Sequence, residues 1–376
     1  MRANVTDRYY RTFTYQKADR VPDVEFGYWP QTLRRWLKEG MDLNLTRDET
    51  KHMFNARVNS FFGFDEPHEH KLGLKVQMNP RFEEEVIERR PHSTIVRDAS
   101  GCTAERFLSN QEESSIPHFI DFPIKTPDDW AAMKEERYRI DDPARDWNEK
   151  EWAELRSAVG EGKMISMICP GPYGMLRNWM GFENLSIAFY EYPEMIHDMV
   201  DHITEMSVRQ LRGIPPDIPV DHSTWWEDMA SKNGPFVGPA MFREFLQPQY
   251  RRIQDELKKR GCCLGIVDCD GNPHDIVANW LEEGVNIMFP LEVQAGVDIY
   301  AWRREFGREL RLKGGIAKQP LVEGGSAIDV ELERIRPMLE EGGYVPHLDH
   351  LVPPDVPYDN YRRYLEKKRE LIGKEP

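Results

Sequence analysis

Residues Gly265 to Asp275 read "GIVDCDGNPHD", and they close the apolar run "CCLGIV" with Asp-Cys-Asp followed by a turn at Gly-Asn-Pro. An apolar run of this length bounded by turn signals predicts a buried strand, with carboxylates at its carboxyl end. Asp268 and Asp270, two apart, then point the same way, and Cys269 points to the opposite face. Two acids at the mouth of a strand are costly unless something positive meets them. The question posed by this stretch is what that positive partner is.

Working outward, strand-like runs alternate with helical ones. Trp29 to Glu39 carries Leu33, Trp36 and Leu37 as a helical stripe ended by Gly40. Residues 72–108 read as an inserted β-meander of short antiparallel strands, "LGLKVQM", "EEEVIERR", "STIVRD" and "CTAERFL". A proline-containing linker leads to helices near 127–137 and 146–159. Then come a strand at 163–170, two helices divided near Pro193, and a strand with its mouth at 218–228. A helix opened by Gly238-Pro239 runs to Arg260 with a bend at Pro248. After "GIVDCD", the runs "VNIMFP", "LRLKGGI" and "YVPHLD" complete the series, and a last helix covers about Tyr358 to Ile372.

Strands alternating with helices predict a parallel sheet with helical crossovers. No Gly-x-Gly-x-x-Gly follows an early strand, so the expectation is an α/β (β/α)8 TIM-like barrel over residues 1–376, a single domain with an N-terminal helical and β-meander insertion. The chain has 376 residues, Lys+Arg 50 against Asp+Glu 65, and a net charge of -15 with no basic tract, which excludes a nucleic-acid footprint. No apolar run approaches ~18 residues, and the N-terminus is polar, so no membrane span or signal segment is expected. Five cysteines without a CxxC pattern suit a reducing cytoplasm. A homodimer is left open.

Four strand ends carry unusual chemistry. "CPGPYGMLRNWMG" (169–181) offers Tyr173, Arg177 and Trp179 in a loop suited to a large flat ligand, or simply a rigid barrel loop. "DHSTWWEDMASKNGP" (221–235) groups His222, Trp225, Trp226, Glu227 and Asp228. Paired exposed tryptophans favour a binding surface over core packing. Glu227, Asp228 and His222 are the candidate acid and base residues, although neighbours in sequence point apart. The third end is the opening stretch. "PHLDHLVPPDVP" (346–357) supplies His347, Asp349 and His350. If the ends share one mouth, a metal held with His350 answers the charge of Asp268 and Asp270. The bland alternative has Asp270 and Asn272 shaping the turn, Asp268 accepting hydrogen bonds and His350 capping a helix.

Taken together, "KADRVPDVEFGYWP", "WWEDMASKNGPFVGPAMFREFLQPQY", "DCDGNPHDIVANWLEEGVNIMFPLEVQAGVD", "LRLKGGI" and "DHLVPPDVPYDNY" resemble the uroporphyrinogen decarboxylase superfamily, which also contains corrinoid-dependent methyltransferases. The resemblance implies a distorted (β/α)8 barrel. Porphyrinogen decarboxylases of the family carry Arg-Gln-Ala-Gly-Arg near the N-terminus, where this chain has "YWPQTLRRW" with Tyr28 at its head, so the resemblance is to the methyltransferase-like branch. In the thiol-methylating members, His-x-Cys and a late Cys bind zinc. Matching on the following glycine and the later prolines puts Asp268, Asp270 and His350 at those positions, without sulfur.

Such a set leaves a metal a stronger Lewis acid, suited to an ether oxygen as methyl departs. The resemblance therefore implies an O-demethylating methyltransferase that moves methyl from a methoxy substrate, aromatic by expectation, to a corrinoid protein. Zinc would be held by Asp268, Asp270 and His350, with Tyr28, Tyr173, Trp225 and Trp226 against the substrate. Two alternatives remain: a cofactor-free decarboxylase or lyase of an aromatic or tetrapyrrole acid, and a non-catalytic ligand-binding barrel.

Overall fold

The apolar run that ends in Asp268 is one of a series of strands whose connections carry helices. The computed structural model describes residues 7–107 and 117–374. The first six residues of the polar N-terminus, and Leu108 at the end of the expected meander, lie outside them. In chain order the strands are β1 (Glu69–Gly73), β2 (Glu85–Arg89), β3 (Ser93–Arg97), β4 (Thr103–Phe107) and β5 (His118–Asp121). They continue with β6 (Met164–Cys169), β7 (His222–Trp226), β8 (Ala230–Ser231), β9 (Gly234–Pro235) and β10 (Leu264–Asp268). The last three are β11 (Ile287–Phe289), β12 (Arg311–Lys313) and β13 (Tyr344–Val345).

A seven-stranded parallel sheet runs β1-β6-β7-β10-β11-β12-β13, so each strand lies beside its successor in the series. That progression, with helices in the crossovers, is the layout of a TIM-like (β/α) barrel. Residues 23–28 bond to both flanks of the sheet. Val352 beyond β13 donates to Gly27 O at 2.9 Å, and Asp65 ahead of β1 donates to Asp23 O at 2.8 Å.

Alternation along the strands sorts the side chains into two layers. Met164, Leu264, Ile266, Ile287, Phe289 and Val345 cluster on the inner face together with Tyr9, Tyr10 and Phe13. Those three aromatics come from the helix Arg8–Phe13, which Asp7 caps by accepting from Tyr9 N and Tyr10 N. This short helix packs against the amino-terminal residues of the strands. The outer face, with Ile165, Met167, Trp225, Val267, Met288 and Leu312, joins the larger core under the surrounding helices.

Pro193 divides two helices as expected, and a π turn interrupts the helix where a bend at Pro248 was expected. Phe182–Glu191 gives way to Pro193–Gly213. The helix after Gly238 passes through a π turn at Phe242–Leu246 before Gln247–Lys258, with Pro248 in its first turn.

The meander differs from its expected limits of 72–108. It is a four-stranded antiparallel sheet in the order β2-β3-β4-β5, and it reaches Asp121. The stretch beginning "LGLK" instead ends β1, which pairs in parallel with β6, Leu72 opposite Met167. The cause is that the residues of β1 sharing one face are Glu69 and Lys71, so the strand lacks the apolar signature of a barrel strand.

Candidate functional site

At the carboxyl end of the sheet, Trp226, Asp268 and Phe289 lie side by side on β7, β10 and β11. Residues paired across a sheet face the same way, so these three share the inner face. Beyond Trp226 the backbone turns at Asp228, whose φ of 43° is in the left-handed region that Asp tolerates better than most residues. The carbonyl of Asp268 accepts from Glu227 N at 2.9 Å and Asp228 N at 3.4 Å. In return Asp270 N donates to Asp228 Oδ1 at 3.2 Å, which ties the two acidic turns together. Cys269 is buried, and its Sγ accepts from Met229 N at 3.4 Å.

Asp270 is the centre of the acidic mouth. Ligand atoms of Asp228, Asp268 and Asp270 lie within 4.8 Å of one another, and so do those of Asp270, Glu292 and His350. His350 Nε2 is 3.4 Å from Asp270 Oδ2, and its ring stacks on Trp29 with centroids 6.1 Å apart. Glu292 Oε2 accepts from Gly271 N at 2.9 Å, where φ of +82° calls for glycine. Lys318 Nζ stands 3.8 Å from Glu292 Oε1 and 3.5 Å from Asp349 Oδ1. Burial and the charges of Asp228 and Asp270 push the Asp268 carboxyl well above the usual carboxylate range. Asp228 is raised for the same reasons, burial first and then Asp270.

The expected site residues divide by side. Asp228, Asp268, Asp270 and His350 reach the mouth, although Asp268 and His350 meet Asp270 in different groups. Trp226 is 39% exposed and carries the Arg177 guanidinium 4.9 Å from its ring centre. Its neighbour Trp225 is fully buried in the outer layer, 4.8 Å from the Tyr250 ring.

Glu227 is likewise fully buried. It accepts a hydrogen bond from the Tyr250 hydroxyl, and its Oε2 accepts from Gly174 N at 2.7 Å. It thereby holds the first turn of the helix Pro172–Met180 against β7. Burial raises its carboxyl to about 7. A Cβ on Gly171 would overlap the Trp226 carbonyl oxygen and lie 2.7 Å from Glu227 Cδ, so only glycine admits this approach. Tyr173 is buried beside it, and Tyr28 packs among Trp36, Phe62 and Tyr361 in the outer core. His222 faces the barrel interior, 3.5 Å from Glu69 Oε2, and burial lowers it to about 4, so its imidazole is neutral at pH 7.

Glu292 and Lys318 enter the site without having been singled out in the sequence. Their signal is positional: each follows a short strand, β11 and β12, as Asp270 follows β10. A family profile described as uroporphyrinogen decarboxylase (URO-D) matches residues 98–371, which span the acidic mouth and the strands from β6 onward. The chain belongs to the uroporphyrinogen decarboxylase family. Among solved structures, this URO-D family member is similar to a methyltransferase from Methanosarcina mazei at 14% sequence identity, with a TM-score of 0.56 over 96% of this chain and 97% of that one. At that identity the likeness speaks to the fold. No curated protein sequence matches the chain. Among the described residues, no helix is long and apolar enough to cross a membrane.

Proposed function

We propose that this URO-D family member is the O-demethylating component of a corrinoid-dependent methyltransferase, taking a methyl group from a methoxy compound, aromatic by preference, to a corrinoid carried by a partner protein. The observation that carries the reading is the donor set around Asp270, which is carboxylate and imidazole only. Cys269, the one sulfur in the same turn, is turned into the core. This set fits zinc, which Asp270, Glu292 and His350 would hold, with Asp268 on the far side of Asp270. When bound, zinc would supply a Lewis acid for the ether oxygen.

The chain's own residues do the remaining work. The exposed face of Trp226 offers a platform for an aromatic ring, with Arg177 fixing the indole. Asp228, whose carboxyl holds its proton more tightly than a free one, serves as donor to the departing oxygen. The fold of the Methanosarcina methyltransferase is compatible with this assignment.

The test is elemental analysis of the purified protein and of His350→Ala, followed by assay of methoxyaromatics with a reduced corrinoid protein. Zinc bound by the wild type and lost in the variant, together with corrinoid-dependent release of the phenol, supports the reading. A protein that binds no zinc even when it is supplied, and releases no phenol, overturns it. A cofactor-free carboxy-lyase is the second reading, favoured by Lys318, which brings a protein-borne cation beside Glu292 and Asp349. It predicts carbon dioxide release from an aromatic acid with no need of corrinoid.

A further inference from the structure

Below the acidic mouth the barrel interior encloses a cavity of about 290 Å³. Tyr9 of the N-terminal helix lines it, Val24, Ile266 and Phe289 give it apolar walls, and several ionisable side chains face it. Most of those charges are accounted for. Asp65 pairs with Arg20 at 2.5 Å, Glu25 with Lys368 at 2.8 Å, and Glu69 with Lys71 at 3.2 Å. His222 is neutral at pH 7 and rests 3.5 Å from Glu69.

Lys313 is different. Its ammonium makes no hydrogen bond or ion pair with any described residue. Its Nζ sits 4.4 Å from the centre of the Phe289 ring and 5.3 Å from that of Tyr9. Ring faces attract the cation, yet an ammonium has three donors that seek lone pairs. Burial lowers the Lys313 amine to about 8, opposed by the charges of Asp268 and Glu69, so it is still mainly protonated at neutral pH. Asp268 lies on the same sheet face two strands away, with Phe289 between them. At the usual spacing of about 4.8 Å per strand, their backbones stand roughly 10 Å apart. The Lys313 ammonium, over the Phe289 ring, and the Asp268 carboxyl face the same cavity.

We propose that Lys313 anchors the carboxylate of a small single-ring acid, whose apolar body lies along Val24, Ile266 and Phe289 and whose far end reaches the acidic mouth. A carboxylate supplies the acceptors that the ammonium lacks, and the apolar walls match a ring better than a compact inorganic anion. The direction in which the far end points rests on reading the mouth as the reacting end. The binding does not.

The test uses the full chain without metal, corrinoid or methyl acceptor, so it is independent of whether demethylation occurs. Benzoate and its neutral counterpart benzamide are titrated by calorimetry into wild type and Lys313→Met. The expected result is benzoate affinity reduced at least tenfold in the variant, with benzamide affinity unchanged. A second measurement needs no variant: wild type is treated with formaldehyde and cyanoborohydride, and methylation of Lys313 is read by peptide mass spectrometry. Benzoate should protect Lys313, while benzamide and inorganic phosphate should not. Equal benzoate affinity in both proteins, absence of benzoate binding to wild type, or failure of benzoate to protect overturns the proposal. Stronger protection by phosphate than by benzoate overturns the assignment of a carboxylate.

Discussion

His350 Nε2 lies 3.4 Å from Asp270 Oδ2, joining the last strand-end loop to the turn after β10. Asp270 belongs to both candidate ligand groups, so its removal disrupts both at once. Asp270→Ala is expected to lose bound zinc and to lower methyl transfer by on the order of 100-fold or more. Zinc analysis and the corrinoid-coupled assay check this, and full activity in the variant would remove the site assignment.

The adjacent tryptophans should separate stability from binding. Trp225→Ala empties a buried space against Tyr250 and should cost about 3–5 kcal/mol, measured by urea unfolding. Trp226→Ala, at the exposed mouth, should change stability by less than about 1 kcal/mol and raise KM for an aromatic substrate. Equal stability losses in the two variants would contradict their placement on opposite faces of β7.

Glu227 gives a pH signature. Its carboxyl ordinarily titrates near 4.5 and is raised to about 7 in the fold, chiefly by burial. Below 4.5 the group is protonated in both states and costs nothing. Between about 4.5 and 7 the unfolded chain ionises while the fold keeps this buried acid protonated, so stability falls by up to roughly 3 kcal/mol across that window and levels off above it. Glu227→Gln should therefore match wild type near pH 4.5 and exceed it at pH 8. Urea melts between those values would show a pH slope shared by both proteins if Glu227 were not responsible.

Gly171 is the position where Glu227 and the Trp226 carbonyl approach the next helix. Gly171→Ala should cost about 1–3 kcal/mol through overpacking and should also lower activity, because the displaced segment carries Trp226 and Asp228. Thermal melting with parallel kinetics distinguishes this from a stability loss alone.

The chain order of strands and helices was legible in the sequence because apolar periodicity and proline breaks are local. Pro193 marks a helix boundary directly, and the acids closing β10 show where the strand leaves the core. β1 was not legible as a barrel strand, since Glu69 and Lys71 occupy one of its faces and its parallel partner β6 is almost a hundred residues away. The same limit hid Glu292 and Lys318, whose significance comes from meeting Asp270 and Asp349 across separate connections.

By itself the sequence determined an alternating α/β chain whose strands end in acids, with Asp268 and Asp270 on one side of their strand end and Cys269 on the other. Only the tertiary structure decided which alternate residues face the barrel interior and which face the helices. It turned Trp226 to the mouth but Trp225 and Glu227 to the core, and it gathered Asp228, Glu292 and His350 around Asp270, with Lys318 beside Glu292. The physical reason is that a two-residue period fixes relative facing along a strand, whereas the choice of inner face depends on which surface the helices cover.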